Sequence, residues 1–361
     1  MVDIYNGAFK GKRVLVTGHS GFKGSWLSIW LHEMGAEVVG VGLHPYSEKD
    51  NYVLSGIGKK IKADIRADIR DGQKMKDIFA EYQPEIVFHL AAQSLVRLSY
   101  EIPVETYETN VMGSINIMEA ARVTDSVKVV VMITTDKCYE NKEQIWGYRE
   151  NDPMGGYDPY SSSKGAAEIA INSWRRSFFN PFDYGKTHHV SIASARAGNV
   201  VGGGDWAMDR IVPDCIRALE ADKLIYIRSP KAIRPWQHVL EPLSGYMLLA
   251  AKMLQEPTKY CEGWNFGPCT ESISPVWDVA TKLIRYYGKG ELVDASDPLA
   301  LHEANLLLLD VSKAKFQLGW ESCTNIEQCC QLTAEWYKRY RTEDVYHLCV
   351  EQINTFVSCR K

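Results

Sequence analysis

The chain of 361 residues, 45% hydrophobic and 24% charged, has the makeup of an ordinary globular protein, long enough for a full α/β core and a smaller second lobe. A net charge of −4 leaves no basic footprint for nucleic acid. The most apolar helical stretch, residues 246–254, is interrupted by Lys252 and too short to span a bilayer, so no membrane partner is expected.

Residues 1–13 carry no apolar core of leader length. Residues 13–17 form a short apolar β run. A glycine-rich turn follows at once, Gly18-His19-Ser20-Gly21-Phe22-Lys23-Gly24, and then residues 25–34, apolar at helical spacing and closed by Gly35. Residues 37–41, 86–90, 127–134 and 189–195 read as further strands, with a helical pattern over 111–121. The echo of Ala63-Asp64-Ile65-Arg66 in Ala67-Asp68-Ile69-Arg70 reads as a small duplication, and no strand is assigned to it. Strands alternating with helices predict a Rossmann-like α/β fold, a doubly wound parallel sheet that binds ligands along the C-terminal edge of its strands.

After Gly198 the alternation fades. A polar glycine loop at 202–206 precedes a helix at 210–219, a short strand at 224–227 and a mixed C-terminal stretch. The expected division is a dinucleotide-binding unit of residues 1–198 with a returning segment at about 236–267. Residues 199–235 and 268–361 form a smaller mixed α/β C-terminal substrate lobe. Nine scattered cysteines without a CxxC pair predict reduced thiols, no disulfide framework, no metal centre and a cytoplasmic setting.

Three groups of residues carry the chemistry. Gly18, Gly21 and Gly24, between a strand and a helix, allow close backbone approach to a pyrophosphate at a helix N-terminus. Neither an acidic residue nor an arginine ends the second strand at Gly42-Leu43-His44, which favours NAD over NADP. Asp158-Pro159 announces a helix start that puts Tyr160 and Lys164 on one face, four residues apart. For a phenol to act as a base near neutrality its pKa must fall by about three units, roughly 4 kcal/mol. A cation about 4 Å away supplies an interaction of that order. Thr135, Asp136 and Lys137 end the strand before that helix. Thr135 can bond a substrate hydroxyl, while Asp136 and Lys137, two neighbouring ionisable groups, can hold different protonation states and serve as acid and base.

On these residues the chain resembles the extended short-chain dehydrogenase/reductase family, and within it the nucleotide-sugar 4,6-dehydratases. The likeness also rests on Asp68-Ile69-Arg70-Asp71, Phe88-His89-Leu90-Ala91-Ala92-Gln93, Thr109-Asn110-Val111, Arg196-Ala197-Gly198-Asn199-Val200, Gly203-Gly204-Asp205-Trp206, Arg234-Pro235-Trp236-Gln237-His238 and residues 310–320. Asp-Lys at 136–137, where dTDP-glucose enzymes carry Asp-Glu, points to the branch acting on CDP-D-glucose; UDP-linked amino-sugar dehydratases share Asp-Lys. The resemblance implies an internally recycled NAD. It places Gly18, Gly21, Phe22, Lys23 and Gly24 at the pyrophosphate and Asp68 and Ile69 at adenine, with Asp64 and Ile65 the shifted alternative. It puts Ala91, Ala92, Gln93 and Asn110 beside the ribose and nicotinamide. Asn199, Asp205, Arg210 and Arg234 would hold the nucleotide-sugar. It implies a homodimer or homotetramer packed through the helices of Asn110 and Tyr160, and a role in deoxysugar biosynthesis. A UDP-linked dehydratase, a 4-epimerase and a non-catalytic NAD-holding protein stay open.

Overall fold

Short apolar runs rich in valine and isoleucine, each followed by a helical segment, can bury both faces only inside a parallel sheet. In the computed structural model, which describes residues 3–268, 272–296 and 306–360, seven such strands form the central sheet. They are β1 (Arg13–Thr17), β2 (Glu37–Gly42), β3 (Ala63–Arg66), β4 (Ile86–His89), β5 (Val129–Ile133), β6 (Ser191–Ala197) and an edge strand, Gly263–Phe266. Their order is edge strand, β6, β5, β4, β1, β2, β3, and every neighbouring pair runs parallel.

The period of two along a strand sorts the side chains into two cores. Val14, Val16, Val129 and Val131 enter the core on one face, and Leu15, Val130 and Met132 the core on the other. On the first face lies the helix Phe22–Glu33, buried from Gly24 through Leu31. Its outer side is covered by the C-terminal helix Val345–Cys359, where Trp30 meets Phe356 edge-on at 5.8 Å. Tyr346 of that helix donates to Glu33 at 2.5 Å. The last helix thus packs on the dinucleotide side of the molecule.

The chain reverses its direction of strand addition between β1 and β4, which opens a crevice at their C-terminal ends. Thr17 and His89 face each other there, in register, with the Thr17 hydroxyl 2.7 Å from His89 Nδ1. Burial pushes His89 down to about 3, so the ring is neutral.

Two features depart from the sequence reading. β3 is a strand although its residues, Ala63-Asp64-Ile65-Arg66, show little apolar pattern; as the sheet's edge it is only partly buried, and it pairs through backbone with β2. The helix expected at 111–121 is the end of a longer run. Pro103–Tyr107, a π turn at Glu108–Met112 and Gly113–Arg122 follow without a break. The π turn brackets Asn110, a placement such turns favour at functional sites.

Beyond the sheet, three two-stranded pairs build a smaller mixed region: Val200–Val201 with Gln237–His238, Ile233–Pro235 with Ile273–Pro275, and Ile225–Ile227 with Leu292–Asp294. The helices Ile211–Glu220, Val276–Tyr287 and Ile326–Arg339 pack around them. Among the described residues every cysteine is free, no acidic, histidine or cysteine cluster could hold a metal, and no helix is long and apolar enough to cross a membrane. Cys269 lies outside the described residues.

Candidate active site

The glycine turn is built for a backbone that must pass close to other atoms. Gly18 has φ +71°, and a Cβ there would stand 2.7 Å from the Ala91 amide nitrogen. A Cβ on Gly24 would strike the Gly18 carbonyl. Gly21 is the N-cap of the following helix, whose first N–H groups therefore point at the crevice. This cradle fits the pyrophosphate of a dinucleotide. Ala91 and Ala92 continue β4 as half-buried residues on the other wall. Gln93 and Asn110 lock together: the Gln93 amide donates to Asn110 Oδ1 at 2.9 Å, and Asn110 Nδ2 donates to the Gln93 carbonyl at 3.0 Å and to Ser163 Oγ at 2.9 Å.

At the far end of the crevice, Asp68 and Ile69 sit in the turn between β3 and the helix Gly72–Tyr82. Ile69 is buried, and Asp68 is engaged by Arg70 at 2.6 Å. Asp64 is tied to His19 Nε2 at 2.6 Å and to Arg66 at 2.7 Å. An arginine does reach the end of β2, contrary to the reading from Gly42-Leu43-His44: Arg66, from the neighbouring strand, donates to the Leu43 carbonyl at 2.8 Å. Its guanidinium is already shared with Asp64, which leaves it poorly placed for a ribose phosphate.

The second half of the site starts where β5 ends. Thr135 is extended and its hydroxyl caps the short turn Asp136–Cys138. That turn brings Asp136 inward, 2% exposed, and leaves Lys137 half-buried on the wall of a cleft of about 300 Å³. Thr135 Oγ1 donates to Asp136 Oδ1 at 2.9 Å, while Asp136 Oδ2 is buried with no hydrogen-bond partner among the described residues. Burial drives the Asp136 carboxyl upward, against the pull of Lys137 and Arg234. It is a carboxylic acid suited to holding a proton.

Tyr160 and Lys164 come from the helix Pro159–Ser177, started by Asp158, whose carboxylate accepts from the Ser161 amide at 2.9 Å, and by Pro159 at its first position. Tyr160 faces the cleft beside Thr135 and Asp136. Lys164 lies behind it, 5% exposed, and burial brings its amine down to about 8. The phenol does not show the expected lowering. Loss of hydration raises Tyr160 to about 12, opposed by a hydrogen bond with Thr135 and by Arg210. The cost of burying the phenolate here outweighs the neighbouring charges.

The same cleft gathers Phe22, Lys23, Asn199, Asp205, Arg210 and Arg234. Asp205 is buried and paired with Arg210 at 3.0 Å, and Arg210 also donates to Ser94 Oγ at 3.0 Å. Lys23 is brought down to about 8 by burial and by the cations Arg210 and Lys164. Such a ring of cations around one cavity suits a ligand with two or more negative charges.

The sequence profile of the GDP-mannose 4,6 dehydratase family matches residues 15–333. The chain belongs to that family. It is 48% identical over 353 residues, 97% of each chain, to a CDP-glucose 4,6-dehydratase of Salmonella typhimurium. Its fold is shared with a dTDP-glucose 4,6-dehydratase from Bacillus anthracis solved in complex with NAD (TM-score 0.75, 20% identity, 91% of this chain and 97% of that one). It is shared equally with an epimerase from Methanothermobacter thermautotrophicus (TM-score 0.78, 22% identity, 96% of each). Dehydratase and epimerase thus stand on one scaffold, and the chemistry is decided by side chains.

For this dehydratase-family member, several cleft residues escaped the sequence reading. Ser94, Arg97, Asp209 and Arg228 line the cleft, with Arg228 on Asp209 at 2.7 Å and Arg97 on it at 3.6 Å. They lie in loops and at element ends, where no periodicity marks them. Glu168 had a signal: it continues the four-residue spacing of Tyr160 and Lys164.

Proposed function

We propose that this protein is a nucleotide-sugar 4,6-dehydratase that converts CDP-D-glucose to CDP-4-keto-6-deoxy-D-glucose, a hydro-lyase of deoxysugar biosynthesis. The observation that carries the reading is the buried Asp136, one carboxylate oxygen left without a hydrogen bond among the described residues, in one cleft with Lys137, Thr135 and Tyr160. A 4-epimerase needs the tyrosine and its lysine but has no use for an acid and a base beyond them. The named Salmonella relative supports the choice of CDP-D-glucose.

NAD, when bound along the glycine turn, supplies the hydride acceptor at C4 of the sugar and the donor at C6. Gly18, Gly21, Phe22, Lys23 and Gly24 would take its pyrophosphate, Asp68 and Ile69 its adenine, and Ala91, Ala92, Gln93 and Asn110 its ribose and nicotinamide side. Tyr160 Oη, whose pKa the positive charge of oxidised NAD would lower further with Lys164 as the cation behind it, takes the proton of the 4-hydroxyl, aligned by Thr135. Lys137 Nζ removes the C5 proton, and Asp136 delivers its own to the departing 6-hydroxyl, so the elements of water leave; after reduction at C6 a proton is returned to C5. Asn199, Asp205, Arg210 and Arg234 hold the nucleotide diphosphate.

The site lies between a dinucleotide unit, residues 1–198 with 236–267, and a substrate lobe, 199–235 and 268–361, whose last helix, Val345–Cys359, packs back onto the dinucleotide unit. The enzyme works in the cytoplasm, in keeping with its free thiols. It assembles as a homodimer or homotetramer, for which the exposed apolar side chains Val104, Tyr107, Met112 and Ile169 on the helices of Asn110 and Tyr160 speak. The test is a side-by-side assay of CDP-, UDP-, GDP- and dTDP-glucose, read by the alkaline absorbance of a 4-keto-6-deoxy sugar. CDP-glucose is the expected substrate. An epimerised sugar with no such absorbance would replace this reading.

A further inference from the structure

Residues 160, 164 and 168 recur every four positions along one helix and lie on one face. The third of them, Glu168, is only 4% exposed, and no assigned step uses it. Its carboxylate is held from three directions. Thr134 Oγ1 donates at 2.5 Å, Ser194 Oγ at 2.8 Å and Arg196 Nη2 at 2.8 Å. Arg196 is fixed in turn, donating to the Tyr139 hydroxyl at 2.7 Å and to the Glu150 carbonyl at 3.0 Å. Thr134 directly precedes Thr135 and is anchored by its amide to the Ala195 carbonyl at 2.9 Å. The Glu168 carboxylate therefore ties the Tyr160 helix to the ends of β5 and β6.

We propose, building on the dehydratase reading, that Glu168 is a positioning residue for the reaction: clamped in its ionised form, it keeps the buried Lys164 amine charged behind Tyr160. The groups that act on Lys164 across its surroundings are few. From its own helix there is Glu168, and from the turn after β5 Cys138. His89 at the end of β4 and Lys23 on the first helix also sense its charge. His89 is neutral, and the Cys138 thiol, pushed far up by burial, is neutral as well. Lys23 adds positive charge. Glu168 is thus the ionised carboxylate that offsets the burial of Lys164, and its own acidity is strengthened by Arg196 and the two hydroxyls. Arg175, on the far side, senses the same carboxylate.

The test reads Lys164 directly. Full-length protein carrying lysine labelled with ¹³C at Cε is titrated by NMR, and the Lys164 signal is identified by its loss in Lys164→Arg. In Glu168→Gln the Lys164 midpoint is expected to fall by about one pH unit or more, a tenfold change in proton affinity, while the exposed lysines stay in place. Because Glu168→Gln leaves Arg196 without its counter-charge, the pair variant E168Q/R196Q is titrated in parallel, and the same fall is expected there. An unmoved midpoint in either folded variant overturns the proposal. Failure of both to fold would make the pair a folding element and overturn it as well. The titration needs no substrate, so an inactive wild-type protein would sink the dehydratase reading without touching this result.

Discussion

Two buried carboxylates stand on either side of Thr135, and the protein treats them in opposite ways. Glu168, beneath the cleft, receives three donors including a guanidinium, and its carboxyl is held below the ordinary range. Asp136, at the cleft wall, receives one hydroxyl on one oxygen and nothing on the other, and burial pushes it up. Both are nearly inaccessible, so burial alone does not separate them. The Arg196 guanidinium 2.8 Å from Glu168 does, first by its charge and then by the donors it joins; at Asp136 an unanswered oxygen leaves desolvation to win. One carboxylate is a fixed charge that organises structure; the other is pushed toward keeping a proton it can give up. Two groups of one kind pushed apart in this way are the mark of divided acid and base roles.

The contrast can be broken at either end. Asp136→Asn keeps the shape of the side chain and removes its transferable proton. Dehydration should slow by roughly 10²- to 10⁴-fold, the span of a lost general acid, with folding intact; a rate within threefold of wild type would strip Asp136 of its role. Glu168→Ala should act on folding instead. It strands Arg196 as a buried charge without a counter-ion, a loss of about 3–5 kcal/mol on the scale of broken buried pairs. Urea denaturation measures it, and a loss under about 1 kcal/mol would show that the pair is worth no more than a surface one.

Much of this was legible in advance, and the reasons are physical. A strand buried on both faces, such as Val129–Ile133, is a run of valine and isoleucine that can be read directly, whereas β3 at the sheet edge is held by backbone bonds that leave little trace in side chains. Gly18 and Gly24 are visible because only glycine fits where the backbone folds onto itself. Tyr160, Lys164 and the Thr135-Asp136-Lys137 run are local in the chain and so form patterns. Arg66 beside Leu43, Arg228 on Asp209 and Arg196 under Glu168 are contacts between residues distant in sequence. The direction of the Tyr160 shift was missed for a related reason. Pairwise charge is countable from spacing, but desolvation depends on everything the fold packs around the phenol.

The pH dependence of stability sharpens the same comparison at smaller cost. Asp136 has its folded value raised above the ordinary 3.8, so its contribution is complete below that pH and is lost as pH rises through the folded value. Glu168, lowered from 4.5, contributes fully above that pH and loses its share as pH falls through its folded value. From about pH 4 up to the folded value of Asp136, Asp136→Asn should therefore gain on wild type by up to roughly 1.4 kcal/mol per pH unit. Glu168→Gln should lag by a constant amount there and recover only in acid. Parallel curves for the two variants would show that the carboxylates do not differ.

The finest test is Thr135, whose hydroxyl touches both active groups. Its one proton can go to the Asp136 carboxylate or to the Tyr160 phenolate, and whichever receives it has its pKa lowered. Thr135→Val removes this shared donor, a hydrogen bond of about 1 kcal/mol. Activity needs Tyr160 without its proton and Asp136 with one; with the phenol raised to about 12, the acid limb of the profile falls at the carboxyl and the alkaline limb at the phenol. The limb of the group that receives the proton should then move to higher pH, by about 0.5–1 unit, and the side that moves names which. A profile that moves on neither side would deny the hydroxyl both partners.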